Sequence, residues 1–160
     1  MKRFPLVLSI ILLASCSGNN TATNNAKLTV DSLHKIMAGY APGLGEIMGG
    51  IQMHHAKLWY AGINDNWKLA QYEIDELKER FEQARTVESE RPEVKMIPVM
   101  YSSIDSINKA ISHKNLVEFK AGFTLLTATC NSCHAANNFE FNIITIPTTP
   151  PVSNQEFKVH

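Results

Sequence analysis

The chain has little of what staples a small fold together. Its 160 residues include only three cysteines, an odd number that would leave one thiol over in a framework of disulfides. No second cysteine pair accompanies Cys130 and Cys133, so the two-pair ligand set usual for structural zinc is missing. His34, His54, His55, His113 and His160 show no metal-ligand spacing around a partner motif. An excess of one charge is also absent: 15 basic residues stand against 15 acidic ones. That balance speaks against nucleic acid as a partner, because nucleic-acid binding needs a basic face. No apolar run approaches the about 20 residues of a transmembrane helix. Internal repeats are absent, and no β-hairpin pattern precedes residue 138.

What is present is helical periodicity. Leu44, Met48, Ile51, His55 and Leu58 recur at intervals of three and four, as do Trp67, Ala70, Ile74, Leu77, Phe81 and Ala84. Ile97, Met100, Ile104, Ile107 and Ile111 form a third series, and Leu116, Phe119, Phe123 and Leu126 a fourth. Such alternation makes one apolar seam per helix. Punctuation agrees: Pro42 suits a first helical turn, and Gly62 with Asn64–Asn66 suits a stop followed by a new N-cap. Pro98 is tolerable only within the first turn of the third helix, and Asn115 with Glu118 resembles a capping box for the fourth. Connections this short favour antiparallel neighbours. The expected fold class is therefore all-α, an antiparallel four-helix bundle over residues 28–138 with a non-helical extension over 139–160.

The chemistry concentrates in Cys130-Asn131-Ser132-Cys133-His134, a C-x-x-C-H sequence that reads as a covalent attachment site for haem c. Two thiols three positions apart share a helix face and can add across the two vinyl groups of one porphyrin. His134 then follows as the proximal iron ligand. Cys130 and Cys133 continue the register of Leu116 to Leu126, so both thiols are expected to face the bundle interior. A plain disulfide or a metal site is the alternative reading. A thioredoxin-like redox site would need a βαβ context that is not evident.

At the other end, Lys2 and Arg3 precede an apolar stretch from Leu6 to Leu13, and Leu13-Ala14-Ser15-Cys16 resembles a bacterial lipobox. This resemblance implies a lipoprotein signal peptide over residues 1–15, cleavage before Cys16 and acylation of its thiol. Residues 16–27, small and polar through Asn25, are expected to form a flexible tether. Lipid on Cys16 and haem on Cys130 and Cys133 leave no cysteine over. The expected location is a membrane-anchored lipoprotein facing the periplasm.

A four-helix bundle with C-x-x-C-H near the end of its last helix resembles the class II c-type cytochromes, the cytochrome c′ and cytochrome c-556 group, over roughly Pro42 to Asn138. The run from Gln52 to Gly62, Asn66-Trp67, Tyr72-Glu73 and the tail from Pro150 to Phe157 are similar to a group of small bacterial haem c proteins. The resemblance implies one haem, electron transfer or gas binding rather than catalysis, and periplasmic or membrane redox proteins as partners. In the family the residue opposite the proximal histidine decides between these roles. A methionine makes a six-coordinate carrier, and a non-ligating residue leaves a site for nitric oxide or carbon monoxide. A non-haem lipoprotein with a Cys130–Cys133 disulfide is the third reading.

For the sixth ligand, counting the about 20 residues of the last helix back along the first from Gly62 reaches the mid-forties. Met48 is the seam residue nearest that level. His55 is the lesser candidate, about 10 Å further along; Met53 and His54 fall off the seam, and His34 and Met37 are remoter rivals. Trp59, Tyr60, Trp67 and Tyr72 read as packing at the first turn of the bundle, with Lys57, Asn66 and Glu73 as a polar cluster beside them.

After Asn138, Phe139, Phe141, Ile143, Ile144 and Ile146 are too apolar for a disordered tail, and Pro147, Pro150 and Pro151 favour an extended course. This segment is expected to wrap an exposed haem edge and reduce solvent access. Truncation after Asn138 should therefore shift the haem spectrum and the midpoint potential; an unchanged potential in redox titration would rule that role out.

Overall fold

A computed structural model describes residues 19–159. They form two units divided between Ala41 and Pro42. The first holds one helix, α1 (Asn19–Tyr40). Residues 19–27, expected within the flexible tether, are thus helical. Adding residues to an established helix costs far less than nucleating one, which favours extension of a helix through polar residues of middling propensity. Cys16 and the expected signal peptide lie outside the described residues. Among the described residues no helix is long and apolar enough to cross a membrane.

The second unit is a four-helix bundle: α2 (Leu44–Ile63), α3 (Trp67–Val87), α4 (Tyr101–Ser112) and α5 (Leu116–Ala136). A 3-10 segment, Val94–Met100, leads straight into α4. Pro98 sits in that segment rather than in the first turn of α4, where hydrogen-bond geometry is poorer than in an α-helix and a missing N–H costs less. Pro42 likewise stands before α2, whose N-cap is Gly43. The α2 pair packs on α3 and α4 on α5, with α3–α4 and α2–α5 contacts closing the ring.

Three reversals share one device. Asp65, Lys114 and Asn138 all take positive φ, at 56°, 52° and 62°. At each, the following N–H reaches back to a carbonyl of the last turn: Asn66 to Ala61 at 2.9 Å, Asn115 to Ala110 at 3.0 Å and Phe139 to His134 at 2.8 Å. This is the Schellman closure of a helix C-terminus, with a non-glycine residue in the left-handed position. Asn66 and Asn115 then serve as N-caps, accepting from Leu69 N at 3.2 Å and from Val117 N at 3.0 Å. One residue ends a helix and the next starts its antiparallel neighbour.

Nearly every seam residue is buried. At the α2–α3 turn the core is aromatic: Trp59 and Trp67 flank Phe119 at ring separations of 6.4 and 6.0 Å. Tyr60 packs on Phe157 of the tail at 5.5 Å. Tyr72 does not join this packing, because its α3 face points to solvent. Nor do Lys57, Asn66 and Glu73 form one cluster. Asn66 caps α3 and donates to the Phe157 carbonyl at 3.2 Å, while the buried Glu73 accepts from His54 Nδ1 at 2.7 Å.

Gly62 of α2 lies directly against Phe119 of α5: a Cβ there would lie 2.1 Å from the ring. Phe119 is itself fully buried, so the ring has nowhere to go. Gly62→Ala should destabilise the protein by about 1–3 kcal/mol through overpacking, despite its gain in helix propensity. Urea unfolding measures the difference.

Candidate functional site

The helix register that starts at Gly62 and Phe119 carries along the α2–α5 interface. One step further, His55 Nε2 lies 2.9 Å from Thr127 Oγ1. The Thr127 hydroxyl donates to the Phe123 carbonyl at 2.9 Å, so it accepts from His55, and the imidazole carries its proton on Nε2. Seven residues before His55 stands Met48; seven after Thr127 stands His134. Seven residues are nearly two whole turns, about 10 Å. Met48 and His134 therefore occupy the same helix faces as the bonded pair and the same level as each other.

There the seam opens. Met48, Cys130 and Cys133 are partly buried, and they line a cleft of about 420 Å³. Cys130, Cys133 and His134 enter it from α5, and Met48 and His55 from α2. Ile97 and Met100 add apolar wall, and Phe139 and Ile144 of the tail close one side. Gly45 and Gly49 leave the α2 wall bare: a Cβ at either would meet nothing within 4 Å. The cleft is thus apolar, with room along one flank.

Its polar groups are few and specific. His134 Nδ1 lies 2.7 Å from the Asn142 carbonyl. A carbonyl only accepts, so Nδ1 holds the proton and Nε2 presents a lone pair. The two thiols are free. Burial pushes the Cys130 thiol up to about 12, with Cys133 adding to the effect, and burial also raises Cys133. At the rim Arg91 Nη2 donates to Glu93 Oε1 at 2.8 Å. Glu93 Oε2 is buried with no hydrogen-bond partner. Hydrogen bonding from Arg91 holds the Glu93 carboxyl below its ordinary value.

The structure brings together Cys130, Cys133, His134, Met48 and His55. His54 turns to Glu73 on α3 and Met53 is exposed; His34 and Met37 belong to the first unit, where both are exposed on α1. Sequence reasoning missed Arg91, Glu93, Asn137 and Asn142 at the cleft. Among the described residues, no group of three or more His, Cys, Asp or Glu side chains is placed to hold a metal ion. The chain matches no protein-family model, no curated protein and no solved structure.

Burial lowers His55 to about 4 from an ordinary 6.5. Between those values the unfolded chain takes up a proton that the folded one refuses. Stability should therefore fall as pH drops from about 6.5 to 4, by at most about 3 kcal/mol from this group. His55→Gln keeps a donor for Thr127 and does not titrate. Urea unfolding across that range should show a shallower pH dependence in the variant.

Proposed function

We propose that the chain is an exported, lipid-anchored, monohaem c-type cytochrome of the class II kind that carries single electrons between periplasmic or membrane redox proteins. The observation that carries this reading is the convergence of Cys130, Cys133 and His134 on one apolar cleft, with Met48 at the level of His134 on the facing helix.

The donor set suits haem c. A metal held by protein ligands alone needs several side chains, whereas haem brings four equatorial nitrogens and asks for one or two axial ligands. His134 offers Nε2, with its other nitrogen tied to a carbonyl in the manner of metal-ligating histidines. Cys130 and Cys133 would hold the group covalently: each S–H adds across a vinyl, forming a C–S bond while the proton goes to the other vinyl carbon. Bare backbone at Gly45 and Gly49 leaves space for a flat macrocycle beside Met48. Arg91 at the rim would pair with a propionate.

When bound, haem supplies a one-electron iron couple. The chain's own contribution is to orient His134, to offer the Met48 thioether as sixth ligand and to keep water from the apolar walls. His55 is the weaker ligand candidate, because its Nε2 is engaged with Thr127 two turns away from the level of His134. The room beside Met48 favours a second reading, a five-coordinate haem that binds nitric oxide or carbon monoxide. Export and lipidation of Cys16 rest on the leader sequence alone.

Spectra of the purified exported protein, taken oxidised and reduced and then under carbon monoxide, test these readings. The expected result is one covalent haem, low-spin and unchanged by carbon monoxide, that becomes high-spin and carbon monoxide-reactive in Met48→Ala. No Soret band would reject both haem readings, and a high-spin, reactive wild type would favour the gas binder. If Met48→Ala stays low-spin while His55→Gln does not, the ligand is His55.

A further inference from the structure

The tail does not simply trail from α5. The left-handed Asn138 reverses the chain, and Asn142 N–H donates to the Phe139 carbonyl at 2.9 Å to close a second turn. The returning segment then meets α5 at Asn131 and His134. Asn131, between the two cysteines, grips it from both sides: Nδ2 donates to the Ile144 carbonyl at 2.8 Å, and Oδ1 accepts from Ile144 N–H at 2.8 Å. Two residues earlier in the tail, the Asn142 carbonyl accepts from His134 Nδ1 at 2.7 Å.

These contacts share one geometric fit. Asn131 and His134 are three apart on a helix, so their side chains project from one face about 5–6 Å apart. Asn142 and Ile144 are two apart in the tail, and two residues of chain span at most about 7 Å. The two spacings match closely enough for both side chains to be satisfied at once. A slip of the tail by one residue would take the Asn142 carbonyl away from His134 and turn the Ile144 peptide away from Asn131.

We infer that Asn131 is a positioning residue: it recognises the Ile144 peptide group and thereby registers the Asn142 carbonyl on His134 Nδ1, setting the orientation and basicity of the imidazole. The inference rests on the haem reading of Cys130–His134. A hydrogen bond accepted from Nδ1–H makes Nε2 a stronger donor to a metal, and such outer partners tune the ligand they hold. The first residue between the two cysteines then acts as the latch for a tail residue 13 positions further along the chain. The sulfurs need only the spacing of the motif; the imidazole needs the tail as well.

The test compares wild type with Asn131→Ala, which loses both bonds, and Asn131→Asp, which keeps the acceptor for Ile144 N–H. Hydrogen exchange at the Ile144 amide should lose protection in Asn131→Ala and keep part of it in Asn131→Asp. With one haem still attached, the iron–histidine stretching frequency of the ferrous protein, measured in a Met48→Ala background, should fall in Asn131→Ala and less in Asn131→Asp. Asn66→Ala, which frees the tail only at Phe157, should leave that frequency unchanged. An unchanged frequency in Asn131→Ala, or an Ile144 amide still protected there, would overturn the inference. Absence of haem from the wild type would instead overturn the proposed function, and the exchange measurement would still decide the latch.

Discussion

The close approach of Gly62 to Phe119 is the constraint on which the rest of the bundle depends. A side chain at residue 62 would collide with a ring that has no room to move, so α2 and α5 meet there at one depth and in one register. The His55–Thr127 bond repeats that register two turns on. Two turns further, the same pairing sets Met48 level with His134. The aromatic end of the bundle, remote from the cleft, thereby fixes which residues face each other across it.

The cleft combines cheap burial with a few directed polar groups. Its walls are aliphatic and aromatic, and its buried titratable groups are held uncharged: His55 and Cys130 are both driven to their neutral forms by burial. Charge stays at the rim, where Arg91 and Glu93 pair. Among the lining groups is the partly buried His134 imidazole, whose Nδ1 donates to the backbone carbonyl of Asn142. For the proposed cofactor this division matters, because a low-dielectric pocket favours the less charged oxidation state while a polarised axial histidine favours the more charged one. The tail contributes to both, through Phe139 and Ile144 as wall and Asn142 as acceptor.

Much of the bundle was legible in the residues. The four seams and the N-caps at Asn66 and Asn115 follow from local rules and are present, but the third seam begins in the 3-10 segment and the α3–α4 connection runs over residues 88–100 rather than being short. The misreadings have local causes too. Pro98 sits deeper than a first-turn proline because a 3-10 segment precedes α4, and Tyr72 is exposed because its position on α3 faces outward. Of the site, the motif and Met48 were legible, since spacing along a helix is also spacing in space. Arg91, Glu93 and Asn142 were not, because nothing local distinguishes them from surface or loop residues. Asn131 was named only as part of the C-x-x-C-H motif and was given no role, because its partner, Ile144, lies outside the helix.

By itself, then, the amino-acid order determined the four helices of the bundle, their seams and the shared face of Cys130, Cys133 and the core of α5, but not α1. These depend on a few residues either way and on the helical repeat. Only the tertiary structure decided that the seam opens at Met48 and Cys130, that His55 donates to Thr127 rather than facing the cleft with both nitrogens, and that the tail returns to bind Asn131 and His134. Those outcomes depend on contacts between residues far apart in the chain, whose register is set by packing at Gly62 and by a left-handed turn at Asn138.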